Sequence, residues 1–175
     1  SIYIITHNRV DLLRRCVDSV ISQTYKNIEI IIVDDCSTDQ TVDYLMGLKN
    51  LDSRVRYISN DKNMGACHSR NSAIEVATGQ YITGVDDDDY FLPTRIQDFL
   101  DERELLDKHA ILYTDSIWKG SKGLSKPIIN KIFIKPVRGK DLLYFNFIGN
   151  QVFMKLDVLK KYNFDIDFPA WQDLE

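Results

Sequence analysis

The chain has 175 residues, 44% of them hydrophobic and 27% charged, with a net charge of −4. These figures fit one folded domain with a core and exclude a disordered or collagen-like chain. The mild acidity disfavours a general nucleic-acid binder, and no run approaches the ~18 apolar residues of a membrane-spanning helix. No secretory signal precedes the opening apolar run, and there is no initiating Met, as expected of a trimmed sequence. Cys16, Cys36 and Cys67 lack metal-type spacing, so free thiols in a reducing cytosolic setting are expected rather than a disulfide framework.

In chain order, residues 1–5 read as a short buried strand, after which Leu12, Leu13, Cys16, Val17, Val20 and Ile21 recur at helical spacing. Residues 28–33 form a β-branched run of the kind a parallel sheet buries on both faces. Ser37 or Thr38 is placed to cap a helix reaching about Leu48. A third strand is expected over 55–59, loop chemistry over 60–65, a helix over 66–77 stopped near Gly79, and a fourth strand over 80–85. Strand–helix alternation of this kind predicts an α/β fold: a single domain with a mostly parallel sheet and helices on both faces. Beyond Pro93 the pattern loosens, with a helix expected over 94–108 and a strand over 111–118. Residues 119–138 carry six basic side chains and no acidic one. A helix over 139–145, a strand over 151–154 and a helix over 156–162 are expected after it.

Two acidic runs stand out. Asp34-Asp35 follows the second expected strand and Asp86-Asp87-Asp88-Asp89 the fourth. Ligands of open parallel sheets bind outside the carboxyl ends of the strands, and adjacent carboxylates there repel one another unless a cation compensates. All-oxygen donors suit Mg²⁺ or Mn²⁺ rather than zinc, and magnesium completes its shell from substrate phosphates. No G-x-G-x-x-G or G-x-x-x-x-G-K motif is present, which disfavours a dinucleotide oxidoreductase or P-loop enzyme. No G-x-S-x-G elbow or Cys–His pairing supports nucleophilic catalysis.

Taken together, Thr6-His7-Asn8-Arg9, residues 32–41 with Asp34 and Asp35, Asn63-Met64-Gly65 followed by Arg70-Asn71, and Val85 to Asp89 resemble family 2 glycosyltransferases. The resemblance implies a GT-A (Rossmann-like) fold and inverting sugar transfer. It also implies a nucleotide diphosphate-sugar donor, a UDP-sugar by preference, and a divalent metal. Thr6, His7, Asn8 and Arg9 fall where the family reads the nucleotide, with His7 standing for the more usual Tyr. Asp34 and Asp35 match the acidic pair that hydrogen-bonds base or ribose, a role suited to an acceptor-only carboxylate. Cys36 replaces a common Gly. Asn63, Gly65, Arg70, Asp86 and Asp87 match further nucleotide-side positions. Asp86 and Asp88 match the D-x-D metal ligands, leaving Asp89 as a further ligand or a helix cap.

An inverting enzyme needs a base for the acceptor hydroxyl. The resemblance assigns it to Asp173, with Trp171 lining the sugar or acceptor pocket and Gln172 in place of the usual Glu. The implied acceptor is a saccharide or lipid-linked saccharide, as in cell-surface polysaccharide or glycolipid synthesis. The basic tract reads as a loop over the diphosphate, as contact with an anionic acceptor or the inner face of the membrane, or as a solvated loop. Residues 1–118 are expected to bind the donor, and 119–175 to form the acceptor side, cut short at the C-terminus. The rival readings are a nucleotidyltransferase of related fold and a non-catalytic nucleotide-binding module.

Overall fold

The computed structural model describes residues 1–120, 123–125 and 151–167. Its central sheet contains β1 (Ile2–Thr6), β2 (Ile30–Asp34), β3 (Val55–Ser59), β4 (Tyr81–Asp86) and β7 (Phe153–Lys155), in the order β3-β2-β1-β4-β7. The first four strands are parallel, and β7 runs antiparallel to β4. A separate hairpin pairs β5 (Trp118–Gly120) with β6 (Gly123–Ser125).

Strand periodicity divides the core. Side chains of a strand alternate between faces, so Ile2, Ile4, Ile30 and Ile32 face one layer while Tyr3, Ile31 and Val33 face the other. The first layer is closed by α1 (Val10–Ile21), which buries Leu13, Cys16, Val17 and Val20 at helical spacing. It is completed by α2 (Thr41–Leu51) through Leu45 and Leu48, and by α4 (Arg95–Asp101) through Ile96. The second layer is closed by α3 (Ala66–Val76) through Ala73 and Ile74, and by α5 (Leu156–Lys161) through Leu156 and Leu159. Helices thus cover both faces, as the alternation predicts. Where β1 and β4 run side by side, Gly84 is level with Tyr3. A Cβ there would lie 2.4 Å from the Tyr3 ring, so the close approach requires glycine.

Several boundaries differ from the sequence expectation. Neither Ser37 nor Thr38 caps α2; Asp39 accepts the Thr41 amide at 3.0 Å, and the helix starts at Thr41. The helix expected over 94–108 breaks at Glu102 and resumes as a 3₁₀ helix over Arg103–Asp107, which brings Leu106 against Phe99 and Phe153. The strand expected over 111–118 shrinks to a bridge between Leu112 and Phe153. Residues 114–117 are exposed, and no strand pairs with them among the described residues. Most of the basic tract, with Lys122, Lys126, Lys131, Lys135 and Arg138, and the helix expected over 139–145 lie outside the described residues.

Candidate functional site

The strand order makes the site. Connections from β1 lead outward through β2 to β3, and the chain then returns to place β4 on the other side of β1. Strand direction of build-up therefore reverses between β1 and β4, and a crevice opens at their carboxyl ends. In register, Thr6 lies level with Asp34 and Ile5 with Asp86, so both acidic runs emerge along one edge beside the turn after β1.

The two runs behave differently there. Asp34 and Asp35 are buried and their oxygens are engaged by the fold. Asp34 accepts the Ser37 amide at 3.2 and 3.3 Å, closing the turn after β2. Asp35 accepts from the Met64 and Gly65 amides and the Asn60 side chain, each at 2.8 Å. Burial raises the Asp35 pKa, but hydrogen bonds from Met64, Asn60, Gly65 and Ser69 outweigh it and hold the carboxyl below its ordinary value. Asn63 also accepts the Gly65 amide, at 3.2 Å. Gly65 has φ +85 at the start of α3, a conformation that favours glycine.

The turn after β1 is laced to the turn after β2. Asn8 takes φ +55, its amide donates to Ser37 Oγ at 2.8 Å, and its Oδ1 accepts the Thr38 amide at 2.7 Å. Asp39 accepts the Val10 amide at the start of α1. His7 is exposed at the tip with Nε2 3.1 Å from Asn8 Nδ2. Cys36 has φ +66, a left-handed conformation that favours glycine.

In the second run the four aspartates part company. Asp87 turns inward, accepting from Thr6 Oγ1 at 2.7 Å and from Arg9 Nη1 at 3.1 Å. Burial raises its pKa, and Thr6 and Arg9 offset that only in part. Asp86, Asp88 and Asp89 point outward, offering carboxylate oxygens within 4.8 Å of one another. Among the described residues they are the one group of His, Cys, Asp or Glu that converges in this way. A tight turn makes this possible, closed by the Asp89 amide on the Asp86 carbonyl at 3.0 Å. Burial, then repulsion from Asp88 and Asp86, pushes the Asp89 carboxyl up. Oxygen-only donors crowded against their own repulsion fit a hard divalent cation. This arrangement adds Asp89 to Asp86 and Asp88 as a candidate ligand.

Each outward acid is tied to a different part of the fold. Arg70, buried on α3, places Nη2 3.4 Å from Asp86 Oδ1. Arg9 reaches Asp88 at 3.5 Å, and Arg15 donates to the Asp88 carbonyl. Gln151, just before β7, donates to Asp89 Oδ2 at 2.5 Å. The Gln151 carbonyl accepts from Arg95 Nη2 at 2.7 Å. Arg95 itself lies 4.6 and 4.8 Å from the ring centres of Phe91 and Phe99, and burial lowers its pKa to about 10. Gln151 and Arg95 escaped the sequence reading because their contacts span 62 and 56 positions and carry no local motif. Cys16 lies under the run, and burial followed by the charges of Asp87, Asp89 and Asp86 keeps its thiol protonated. Asp173 and Trp171 lie outside the described residues.

The comparisons agree with this architecture. The profile described as Glycosyl transferase family 2 matches residues 1–162. The chain is 43% identical over 178 residues to the putative colanic acid biosynthesis glycosyl transferase WcaA of Escherichia coli K12, covering 100% of this chain and 63% of that protein. It is 33% identical to the Escherichia coli UDP-Glc:alpha-D-GlcNAc-diphosphoundecaprenol beta-1,3-glucosyltransferase WfaP, covering 99% of this chain and 69% of WfaP. The chain therefore spans about two thirds of the length of these relatives. Among solved structures, residues 1–349 of S. aureus TarS in complex with UDP-GlcNAc superpose with a TM-score of 0.76 at 22% identity. That match covers 99% of this chain and 50% of TarS 1–349, and it supports the GT-A fold. With the family profile covering nearly the whole chain and a relative at 43% identity, the chain belongs to glycosyl transferase family 2.

Proposed function

We propose that this chain is the donor-binding and base-bearing part of an inverting glycosyltransferase that moves a sugar from a nucleotide diphosphate-sugar to an acceptor hydroxyl. The observation that carries the proposal is the convergence of Asp86, Asp88 and Asp89 within 4.8 Å, with Arg70 beside them, at the switch point of the sheet. WfaP, at 33% identity, is by name a UDP-glucose-dependent enzyme acting on a diphosphoundecaprenol-linked sugar. Its similarity supports a UDP-sugar donor and a saccharide or lipid-linked saccharide acceptor, in cell-surface polysaccharide synthesis. Among the described residues no helix is long and apolar enough to cross a membrane. A site on the cytoplasmic side of the membrane would bring such an enzyme to a lipid-linked acceptor.

Asp86, Asp88 and Asp89 would hold Mg²⁺ or Mn²⁺. Bound there, the ion would neutralise charge on the diphosphate as it leaves. Arg70 and Arg9 would offer guanidinium groups to phosphate oxygens from two sides of the acids. Thr6, His7, Asn8, Asp34, Asp35, Asp87 and the 63–65 turn would form the wall for base and ribose, held in place by the hydrogen bonds among them. Asp173 would accept the acceptor hydroxyl proton and Trp171 would line the pocket, within an acceptor-side segment of 119–175 that follows a donor segment of 1–118.

Nucleotide sugars incubated with the protein, Mn²⁺ and a lipid-linked saccharide are expected to give transfer from a UDP-sugar with inverted linkage, read by mass spectrometry and NMR. Asp173→Asn is expected to keep nucleoside diphosphate affinity and lose transfer. An active Asp173→Asn protein would put the base elsewhere.

A further inference from the structure

One contact on α3 lies outside the acids and their partners. The Asn71 amide donates from Nδ2 to the Phe164 carbonyl at 2.8 Å, and its Oδ1 accepts the Phe164 amide at 2.9 Å. One side chain thus satisfies both backbone groups of a residue 93 positions away, as a neighbouring strand would. Two parallel bonds fix orientation as well as distance. The carboxamide of Asn carries a donor and an acceptor side by side on one planar group, with a shorter reach than that of Gln.

The contact belongs to a longer docking line. Lys160, near the end of α5, donates to the Glu75 and Ala77 carbonyls at the carboxyl end of α3. From there the chain climbs along α3 to residue 71, toward the edge where the acids sit. At Phe164 it meets Arg70, whose guanidinium lies 5.4 Å from the ring centre, and Arg70 in turn reaches Asp86. Residues 162–164 therefore form a strap that reaches the Asp86 edge through the Phe164–Arg70 contact.

We propose that Asn71 is a positioning residue for the donor diphosphate. By fixing the Phe164 backbone on α3 it sets where the strap meets Arg70, and so where the Arg70 guanidinium stands beside Asp86. This rests on the glycosyltransferase reading above. A purely structural clamp would lower stability without separating UDP from uridine, whereas a positioning residue for Arg70 weakens UDP and spares uridine.

The test measures three quantities on wild type, Asn71→Ala and Asn71→Asp. They are the Kd of UDP with Mn²⁺, the Kd of uridine, and hydrogen-exchange protection of the Phe164 amide. Asn71→Ala removes both bonds and is expected to lose the protection and at least tenfold in UDP affinity, with uridine affinity within threefold of wild type. Asn71→Asp keeps the acceptor for the Phe164 amide, so the protection survives and UDP affinity falls only two- to fivefold. Where Asn71→Ala fails to fold, the Asn71→Asp result decides, and an unchanged UDP affinity overturns the proposal. An Asn71→Ala protein with wild-type UDP affinity, or with uridine weakened in step with UDP, also overturns it. A wild type that neither binds UDP nor transfers sugar defeats the functional reading itself, a failure distinct from an Asn71 variant that behaves as wild type.

Discussion

The two ends of the sheet treat acids in opposite ways. At the amino end, Glu29 gathers donors: Ser1 Oγ at 2.5 Å, the Thr78 amide at 2.7 Å and the Gly79 amide at 2.8 Å on one oxygen, and Arg56 at 2.7 Å on the other. Burial pushes its pKa up, but the hydrogen bonds from Ser1, Thr78 and Gly79 prevail and bring it down to about 2. At the carboxyl end, Asp86, Asp88 and Asp89 face one another, and the Asp89 carboxyl is pushed up. At Glu29 the donors outweigh burial, whereas at Asp89 burial and the neighbouring acids outweigh the Gln151 hydrogen bond, so the carboxyl-end cluster is where an added cation gains most.

The largest expected effect follows from that contrast. Asp88→Ala should lower metal-dependent transfer by about 10²-fold or more, the scale of losing a group that stabilises developing charge. Its melting temperature should match or exceed that of wild type, because one of three mutually repelling, half-exposed carboxylates is gone. A marked drop in stability would place Asp88 in the same class as Glu29 and erase the distinction.

The reciprocal change comes next. Glu29→Gln should cost about 1–2 kcal/mol at pH 7 through weakened charge-assisted hydrogen bonds, and leave the donor affinity intact. The sign of its pH dependence is fixed by the lowered pKa. The Glu29 contribution is complete above the ordinary glutamate value of 4.5 and fades as pH falls toward 2, so the gap in melting temperature between variant and wild type should close with acid. A gap that widens on acidification would contradict the assignment.

The smallest effect concerns Cys36, whose φ of +66 strains a side chain at the carboxyl end. Cys36→Gly should stabilise by a few tenths to about 1 kcal/mol, the relief of the left-handed strain being partly offset by the greater freedom of glycine in the unfolded chain. Chemical denaturation reads this directly, and transfer should be unchanged.

What was legible in the sequence follows the range of the interactions. The β-branched run 28–33, the strand pattern of 80–85 and the helical spacing of Leu13, Cys16, Val17 and Val20 are local signals, and the parallel sheet and its covering helices follow from them. The acidic runs follow strands for the same reason, and the register brings both to one sheet edge. The division of labour within each run was not legible. Asp87 turns inward while Asp86, Asp88 and Asp89 converge because the tight 86–89 turn breaks strand alternation, and adjacent identical residues give no hint of it. Asp34 and Asp35 read as nucleotide-side acids, and the sequence did not show that they also accept from Ser37 in one turn and from Asn60, Met64 and Gly65 in another. Gln151 and Phe164 reach the site edge through packing across more than 50 positions, where a single sequence carries no periodic signal.

The most direct test of the central claim is calorimetric titration of UDP into the protein with and without Mn²⁺, on wild type and Asp88→Ala. If Asp86, Asp88 and Asp89 form a cation site that accepts a nucleoside diphosphate, Mn²⁺ should tighten UDP binding to wild type at least tenfold and leave Asp88→Ala unchanged. Equal UDP affinity with and without the metal in wild type, or full metal enhancement in Asp88→Ala, would contradict it.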